Sequence, residues 1–222
     1  MSKQNITLIA GAASSFGKVI IPVLFNKGHQ LILTHSGRED YQLPEGVAGE
    51  VFKLDITDVA AITNVIGGFR SKINNLIYSV GSPIVFKKFE DEKWEDYEKH
   101  WQTQVKGLWH ITRALIANNH PLKRVIAIGS AVTFTKPPAR LGAYTTSKYA
   151  LLGLIKSLAV ELASRQIAVN MISPGATGAG LSKDWPRLMI EAGGSTDTRT
   201  VADTIALLLQ EESGRTGENF HI

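Results

Sequence analysis

The chain has 222 residues, 44% of them hydrophobic, and 24 Lys and Arg against 20 Asp and Glu give a formal charge of +4. That length can bury a large core without covalent staples, and with no cysteine, disulfides, thiolate metal sites and a cysteine nucleophile are excluded. The basic residues are scattered rather than clustered, which argues against nucleic-acid binding and leaves a solvated surface with some attraction for an anionic ligand or acidic partner.

Met1-Ser2-Lys3-Gln4-Asn5 leads straight into a strand-like stretch, so no signal peptide is expected. No apolar run reaches the roughly 18 residues of a membrane helix, and a cytoplasmic location is the expectation. Residues 6–10 form an apolar run ending at Gly11, which predicts a buried strand followed by a turn. Helical spacing runs over 16–26 and stops at Gly28, with Pro22 removing one backbone hydrogen bond and bending the axis. Strands are predicted over 31–34 and 51–54, a helix over 60–69, and a fourth strand over 76–80 ending at Gly81. Asp91 opens a long helix expected to reach Ala117, its first turn acidic as the helix dipole favours. A fifth strand over 125–128 precedes a second long helix over 143–164, and a sixth strand over 167–172 is closed by Pro174-Gly175. A helix over 200–210 comes last, with room for a short terminal strand. Strands alternating with helices predict an α/β fold: a Rossmann-type, doubly wound parallel sheet in one domain over 1–222.

Gly11-Ala-Ala-Ser-Ser15-Phe-Gly17 joins the first strand to the first helix. Glycines there let the backbone turn sharply and approach a pyrophosphate, which the positive helix N-terminus then holds. Tyr144-Thr-Thr-Ser-Lys148 opens the helix after the fifth strand, and a spacing of four puts both side chains on one face. A phenol of pKa near 10 is a poor acid–base at neutral pH. A neighbouring ammonium and the helix N-terminus are expected to lower that pKa.

These two motifs, with Ser130 ending the fifth strand and Asn170-Met-Ile-Ser-Pro174-Gly175 after it, resemble the short-chain dehydrogenase/reductase family in the correct order along nearly the whole chain. The likeness is broadest to the 3-oxoacyl-carrier-protein reductases. It implies a soluble oxidoreductase in which Tyr144 is the general acid, Ser130 binds the carbonyl oxygen, and Lys148 holds the nicotinamide ribose and acidifies the tyrosine. Gln104 takes the place of the family's helix asparagine, which anchors a relay water; the alternative is a polar helix residue with no catalytic task. The implied cofactor contacts are Gly11, Ser14, Ser15, Phe16 and Gly17 at the pyrophosphate and Asp55 and Ile56 at the adenine. Gly81, Tyr144, Lys148, Pro174, Gly175 and Thr177 would line the nicotinamide end. Asp55 could instead cap the following helix, a task we assign to Asp58. NAD-preferring relatives carry an acid just after the second strand, whereas this chain reads Thr34-His35-Ser36-Gly37-Arg38. Ser36 and Arg38 could take a 2′-phosphate, so NADP(H) is the expected cofactor. The alternative places Arg38 in a solvated loop beside Glu39 or Asp40.

Several positions depart from the family pattern. Ser15 stands at the middle glycine of the turn, Ala10 where a threonine is usual, and Tyr78-Ser79-Val80-Gly81 where relatives read Asn-Asn-Ala-Gly. The gap from Ser130 to Tyr144 is one residue longer than usual, and Thr177 follows Gly175 by two positions where four is common. The segment 176–196 is expected to form a substrate lid, with Leu181, Trp185 and Met189 either covering a ketone or packing on the core, and Phe134 as a further pocket candidate. Trp94, Trp101, Val105 and Leu108 fall at helical spacing and predict a core or interface stripe. By resemblance, a homodimer or homotetramer is expected. The substrate would be a ketone or acyl thioester. The alternatives are a non-catalytic NADP-binding protein, or a lyase or isomerase reusing Tyr144.

Overall fold

The computed structural model describes residues 5–37, 41–177, 195–211 and 214–222. Seven parallel strands form one sheet: β1 (Ile6–Ala10), β2 (Gln30–His35), β3 (Glu50–Lys53), β4 (Asn75–Tyr78), β5 (Arg124–Ile128), β6 (Ala168–Ser173) and β7 (Asn219–His221). Their spatial order is β3-β2-β1-β4-β5-β6-β7. All five residues of β1 are buried, as expected for a central parallel strand covered on both faces. Strand pleating divides them: Leu8 packs with one apolar cluster, Ile9 with the other.

The first cluster joins α2 (Val59–Gly67), α4 (Gly107–Ala117) and α5 (Gly142–Glu161) to the sheet through residues such as Ile62, Ile111 and Ile155. On the opposite face, α1 (Ser15–Asn26) and α6 (Thr198–Gln210) pack together through Ile20, Leu24, Val201 and Ile205. Each large aliphatic side chain fully buried in this way contributes about 1.5–3 kcal/mol. The chain winds outward from β1 to β3, then restarts at β4 on the other side of β1. The crevice at this reversal, beyond the carboxyl ends of β1 and β4, is where such sheets bind ligands. Among the described residues no helix is long and apolar enough to cross a membrane.

The long helix expected from Asp91 to Ala117 begins at Trp94 and runs without a gap to Ala117, but it changes type along its length. A 3₁₀ turn spans Phe89–Asp91, α3 covers Trp94–His100, and a π-helical segment, Trp101–Lys106, leads into α4. The N-terminus of α3 is held by Asp96, whose carboxylate accepts from the Lys93 amide at 3.1 Å. The wider π turn changes the angular phase of the residues beyond it. The aromatic stripe is split as a result: Trp94 is 73% exposed and Trp101 45%, while Leu108 is fully buried.

Candidate active site and cofactor cleft

Gly11 follows β1 with φ +88, and a Cβ there would fall 2.4 Å from the Ser79 carbonyl oxygen. Only glycine lets β1 turn so tightly against the end of β4. Gly17 is equally confined, since its Cβ would meet the Ala12 carbonyl oxygen at 2.5 Å. Ser14 caps α1, its hydroxyl accepting from the Gly17 amide at 2.9 Å and pairing with Ser79 Oγ at 2.8 Å. Ser15 and Phe16 begin the helix, so their amides have no intrahelical acceptor and face the crevice end of α1. No acidic residue occupies this first turn. The cradle therefore fits a dinucleotide pyrophosphate, and Ser15 enters it as an ordinary helical residue.

Ser36 and Gly37 are exposed beyond β2, while Arg38 lies outside the described residues. A cation not foreseen from the sequence stands there instead. A Cβ on Gly37 would fall 2.2 Å from Lys53 Cε, so the Lys53 side chain runs across this glycine from the end of β3. Register pairing of His35 with Lys53 brings it there, a relationship visible only once β2 and β3 are aligned. Asp55 accepts from both the amide and the hydroxyl of Thr57, at 2.9 and 2.8 Å, a local turn that holds its carboxylate beside Ile56. Asp58 caps α2 as expected, accepting from the Ala61 amide at 2.9 Å.

Ser130, Tyr144 and Lys148 converge. Ser130 lies two residues beyond β5 in extended backbone; its side chain acts on the Tyr144 phenol in the direction that lowers its pKa, and its hydroxyl accepts weakly from the Val132 amide at 3.4 Å. Lys148 lies one turn further along α5, its Nζ 5.6 Å from the Tyr144 ring centroid and donating to the Ile128 carbonyl at 3.0 Å. All three side chains are buried. The expected acidification of Tyr144 is not met in the protein alone. Burial pushes the phenol up to about 12, against which the Ser130 side chain works in the opposite direction. Burial likewise pulls Lys148 down to about 7. Sequence spacing could foresee the pairing of the two groups, but not the desolvation that outweighs it.

His100 was not foreseen. It ends α3, is buried, and sets its ring edge-on to Tyr144 with centroids 5.9 Å apart. Gln104 Nε2 donates to its Nδ1 at 3.0 Å. Gln104 is fully buried, and its Oε1 has no hydrogen-bond partner among the described residues. Burial and the nearby Lys148 pull His100 down to about 4, so it is neutral near pH 7. A signal existed in the sequence, a histidine four residues before Gln104, but the intervening turn is π-helical and hid its direction.

The altered Tyr78-Ser79 pair keeps the end of β4 anchored by other means. The Tyr78 hydroxyl donates to the Thr103 carbonyl, and Ser79 meets Ser14. The Gly107 amide bonds the Gln102 carbonyl in the π pattern, so the Thr103 carbonyl that α geometry would pair with it can receive Tyr78. Gly81 is exposed at the crevice. Across from it, the Pro174 carbonyl accepts from Ala131 at 2.8 Å, and the Gly175 amide donates to Ile222 and Thr196. Thr177 is half-buried just beyond.

A cavity of about 100 Å³ borders the site, lined by Val85, Lys87, Glu92, Asp96, His100 and Ala143 among others. Phe134, the pocket candidate, stacks on His221 of β7 with centroids 3.7 Å apart. Leu181, Trp185 and Met189 lie outside the described residues. A larger cavity of about 530 Å³, lined by Arg124, Ala168 and Arg215, sits at the amino ends of β5 and β6, away from the crevice.

The sheet order, the glycine turn and the Ser-Tyr-Lys cluster define a nucleotide-binding oxidoreductase fold. A family model described as short chain dehydrogenase matches residues 5–188, and the chain belongs to that family. It is similar to the 3-oxoacyl-[acyl-carrier-protein] reductase FabG of Escherichia coli, at 28% identity over 98% of this chain and 95% of the relative. The oxidoreductase UcpA of Salmonella typhimurium is 30% identical over 76% of this chain and 67% of its own length. Among solved structures, ElxO with NADP bound superposes with a TM-score of 0.88 at 20% identity, covering 99% of this chain and 97% of that one. NAD+-bound xylitol dehydrogenase gives 0.86 at 22% identity over 100% and 99%. At these identities the structures support the fold.

Proposed function

We propose that the protein reduces a ketone to a secondary alcohol with NADP(H), using Tyr144 as general acid. The observation that carries this reading is the convergence of three buried side chains, Ser130, Tyr144 and Lys148, with Lys148 Nζ 5.6 Å from the Tyr144 ring centroid and one turn away on the same helix. In this reading Ser130 donates to the carbonyl oxygen and stabilises the charge that develops on it. Tyr144 Oη gives that oxygen its proton, and Lys148 holds the ribose hydroxyls while facing the phenolate left behind. The bound cofactor supplies the hydride.

Preference for the 2′-phosphorylated cofactor is supported by the crevice beyond β2, where Ser36 and Lys53 stand and where the sequence has no acid before Glu39. We assign Gly11, Ser14, Ser15, Phe16 and Gly17 to the pyrophosphate, Asp55 and Ile56 to the adenine, and Gly81, Pro174, Gly175 and Thr177 to the nicotinamide end. Arg38 is proposed as a second phosphate contact. The FabG likeness makes a 3-oxoacyl thioester the first substrate to try. We further propose one domain over 1–222 with a lid over 176–196, assembling as a dimer or tetramer through α4 and α5, where Trp109 and Tyr149 are exposed, with Trp101 exposed in the π-helical segment that leads into α4.

The test is consumption of NADPH and NADH with a panel of ketones and 3-oxoacyl thioesters. Turnover with NADPH favoured is the expected result. Tight NADPH binding without turnover across the panel would instead make the protein a cofactor-binding one, and product formed without a redox change would make it a lyase or isomerase.

A further inference from the structure

The buried amide of Gln104 poses a problem of hydrogen-bond balance. A primary amide offers two donors and an acceptor, and leaving one unpaired in the interior costs about 1–3 kcal/mol. Gln104 has no solvent exposure, gives one Nε2 hydrogen to His100 Nδ1, and leaves Oε1 without a partner among the described residues. The segment carrying it packs on α5, which bears Tyr144 and Lys148. A buried polar atom of this kind is where an internal water binds.

Acceptance at Nδ1 places the ring proton of neutral His100 on Nε2. The side chain of Gln104 is long, and with a single anchor its amide could rotate. His100 supplies that anchor from four residues away, while its own ring is fixed edge-on against Tyr144. The neutrality of His100 matters as well. Lys148, Lys99 and Asp96 are the charged groups that act on it, and a second cation beside Lys148 would oppose the ammonium that Tyr144 depends on.

We infer that His100 is a positioning residue: it holds the Gln104 amide so that Oε1 can seat the relay water that the family likeness implies at this position, the water that resupplies the proton Tyr144 gives away. Each reduction removes one proton from Tyr144 Oη. The seated water passes one inward to the Lys148 side of the pair, and bulk solvent returns one to the water, so no charge accumulates. This inference rests on the oxidoreductase reading above.

The test compares His100→Leu with His100→Asn. Leucine keeps bulk against Tyr144 but cannot accept from Gln104, whereas asparagine presents Oδ1 near the Nδ1 position. With the ketone that serves the wild type, His100→Leu is expected to lower kcat about tenfold or more with KM and NADPH affinity nearly unchanged, and to raise the solvent isotope effect. His100→Asn is expected to recover to within about threefold of wild type. Equal losses in the two variants, or no loss in either, would overturn the inference. Should His100→Leu fail to fold, ¹⁵N resonances of the wild-type imidazoles decide: His100 protonated on Nε2 with a hydrogen-bonded Nδ1 that is released in Gln104→Met supports it, and a proton on Nδ1 overturns it. Wild-type protein that reduces no ketone removes the oxidoreductase reading itself, a result separate from an active wild type indifferent to position 100.

Discussion

The hydroxyl of Tyr78, at the end of β4, donates to the main-chain carbonyl of Thr103 in the π-helical segment. Through this bond a strand that ends at the cofactor crevice is tied to the segment that carries Gln104. Room for it comes from Gly107, where a Cβ would fall 2.2 Å from the tyrosine oxygen and 2.8 Å from Ile56. Tyr78→Phe should destabilise the protein by about 1–3 kcal/mol, the cost of leaving a buried carbonyl unpaired. Gly107→Ala should cost more, because overpacking against Ile56 is added. Urea denaturation of the two variants checks the order, which a larger loss in Tyr78→Phe would reverse.

Tyr144→Phe removes the acid but keeps the ring that packs beside His100. Turnover should fall by about 10²–10⁴-fold, the range for general acid–base groups. NADPH affinity should stay within a few-fold. Ser130→Ala should reduce kcat by about 10²-fold, as loss of an oxyanion donor does. Fluorescence titration of bound NADPH alongside steady-state kinetics separates these effects, and near-normal turnover in Tyr144→Phe would end its assignment as acid.

Lys53 crosses Gly37 at the mouth of the crevice. If the ribose phosphate sits there, Lys53→Glu should shift the ratio of kcat/KM for NADPH over NADH by about tenfold or more toward NADH, or about 1.4 kcal/mol. Measured ratios that coincide for wild type and variant would place the phosphate elsewhere.

Burial pulls Lys148 down to about 7 from its ordinary 10.5. Between those values the unfolded chain binds more protons than the folded one, so stability rises with pH across that window. Lys148→Met should therefore be more stable than wild type at pH 7 by a few kcal/mol, because a tenfold change in proton affinity is worth about 1.4 kcal/mol. The advantage should narrow toward pH 10. Loss of the hydrogen bond to the Ile128 carbonyl reduces the gain. Unfolding of the cofactor-free protein at several pH values reads the trend directly; an advantage that grows with pH would contradict it.

Much of the architecture was open to inspection in the chain itself. Residues 6–10 are apolar without interruption because β1 is buried on both faces, and the observed strand has those same limits. Gly11 and Gly17 announced a turn in which no Cβ could fit, and the folded chain supplies the obstructing carbonyls. A spacing of four put Tyr144 and Lys148 on one helical face because helix geometry depends on local order alone.

Tertiary structure decided what involves partners distant in sequence. Lys53 reaches Gly37 only through the β2–β3 register, and the Tyr78–Thr103 bond forms only because a π turn frees a carbonyl. The same turn interrupts the α geometry of the expected helix, and Gln104, which lies within it, is fully buried. Protonation followed packing too: the chain supplied a phenol beside an amine, but desolvation, which depends on every atom that excludes water, left Tyr144 weakly acidic and Lys148 close to neutrality. Periodicity encodes local geometry; burial and long-range pairing are properties of the assembled sheet and its helices.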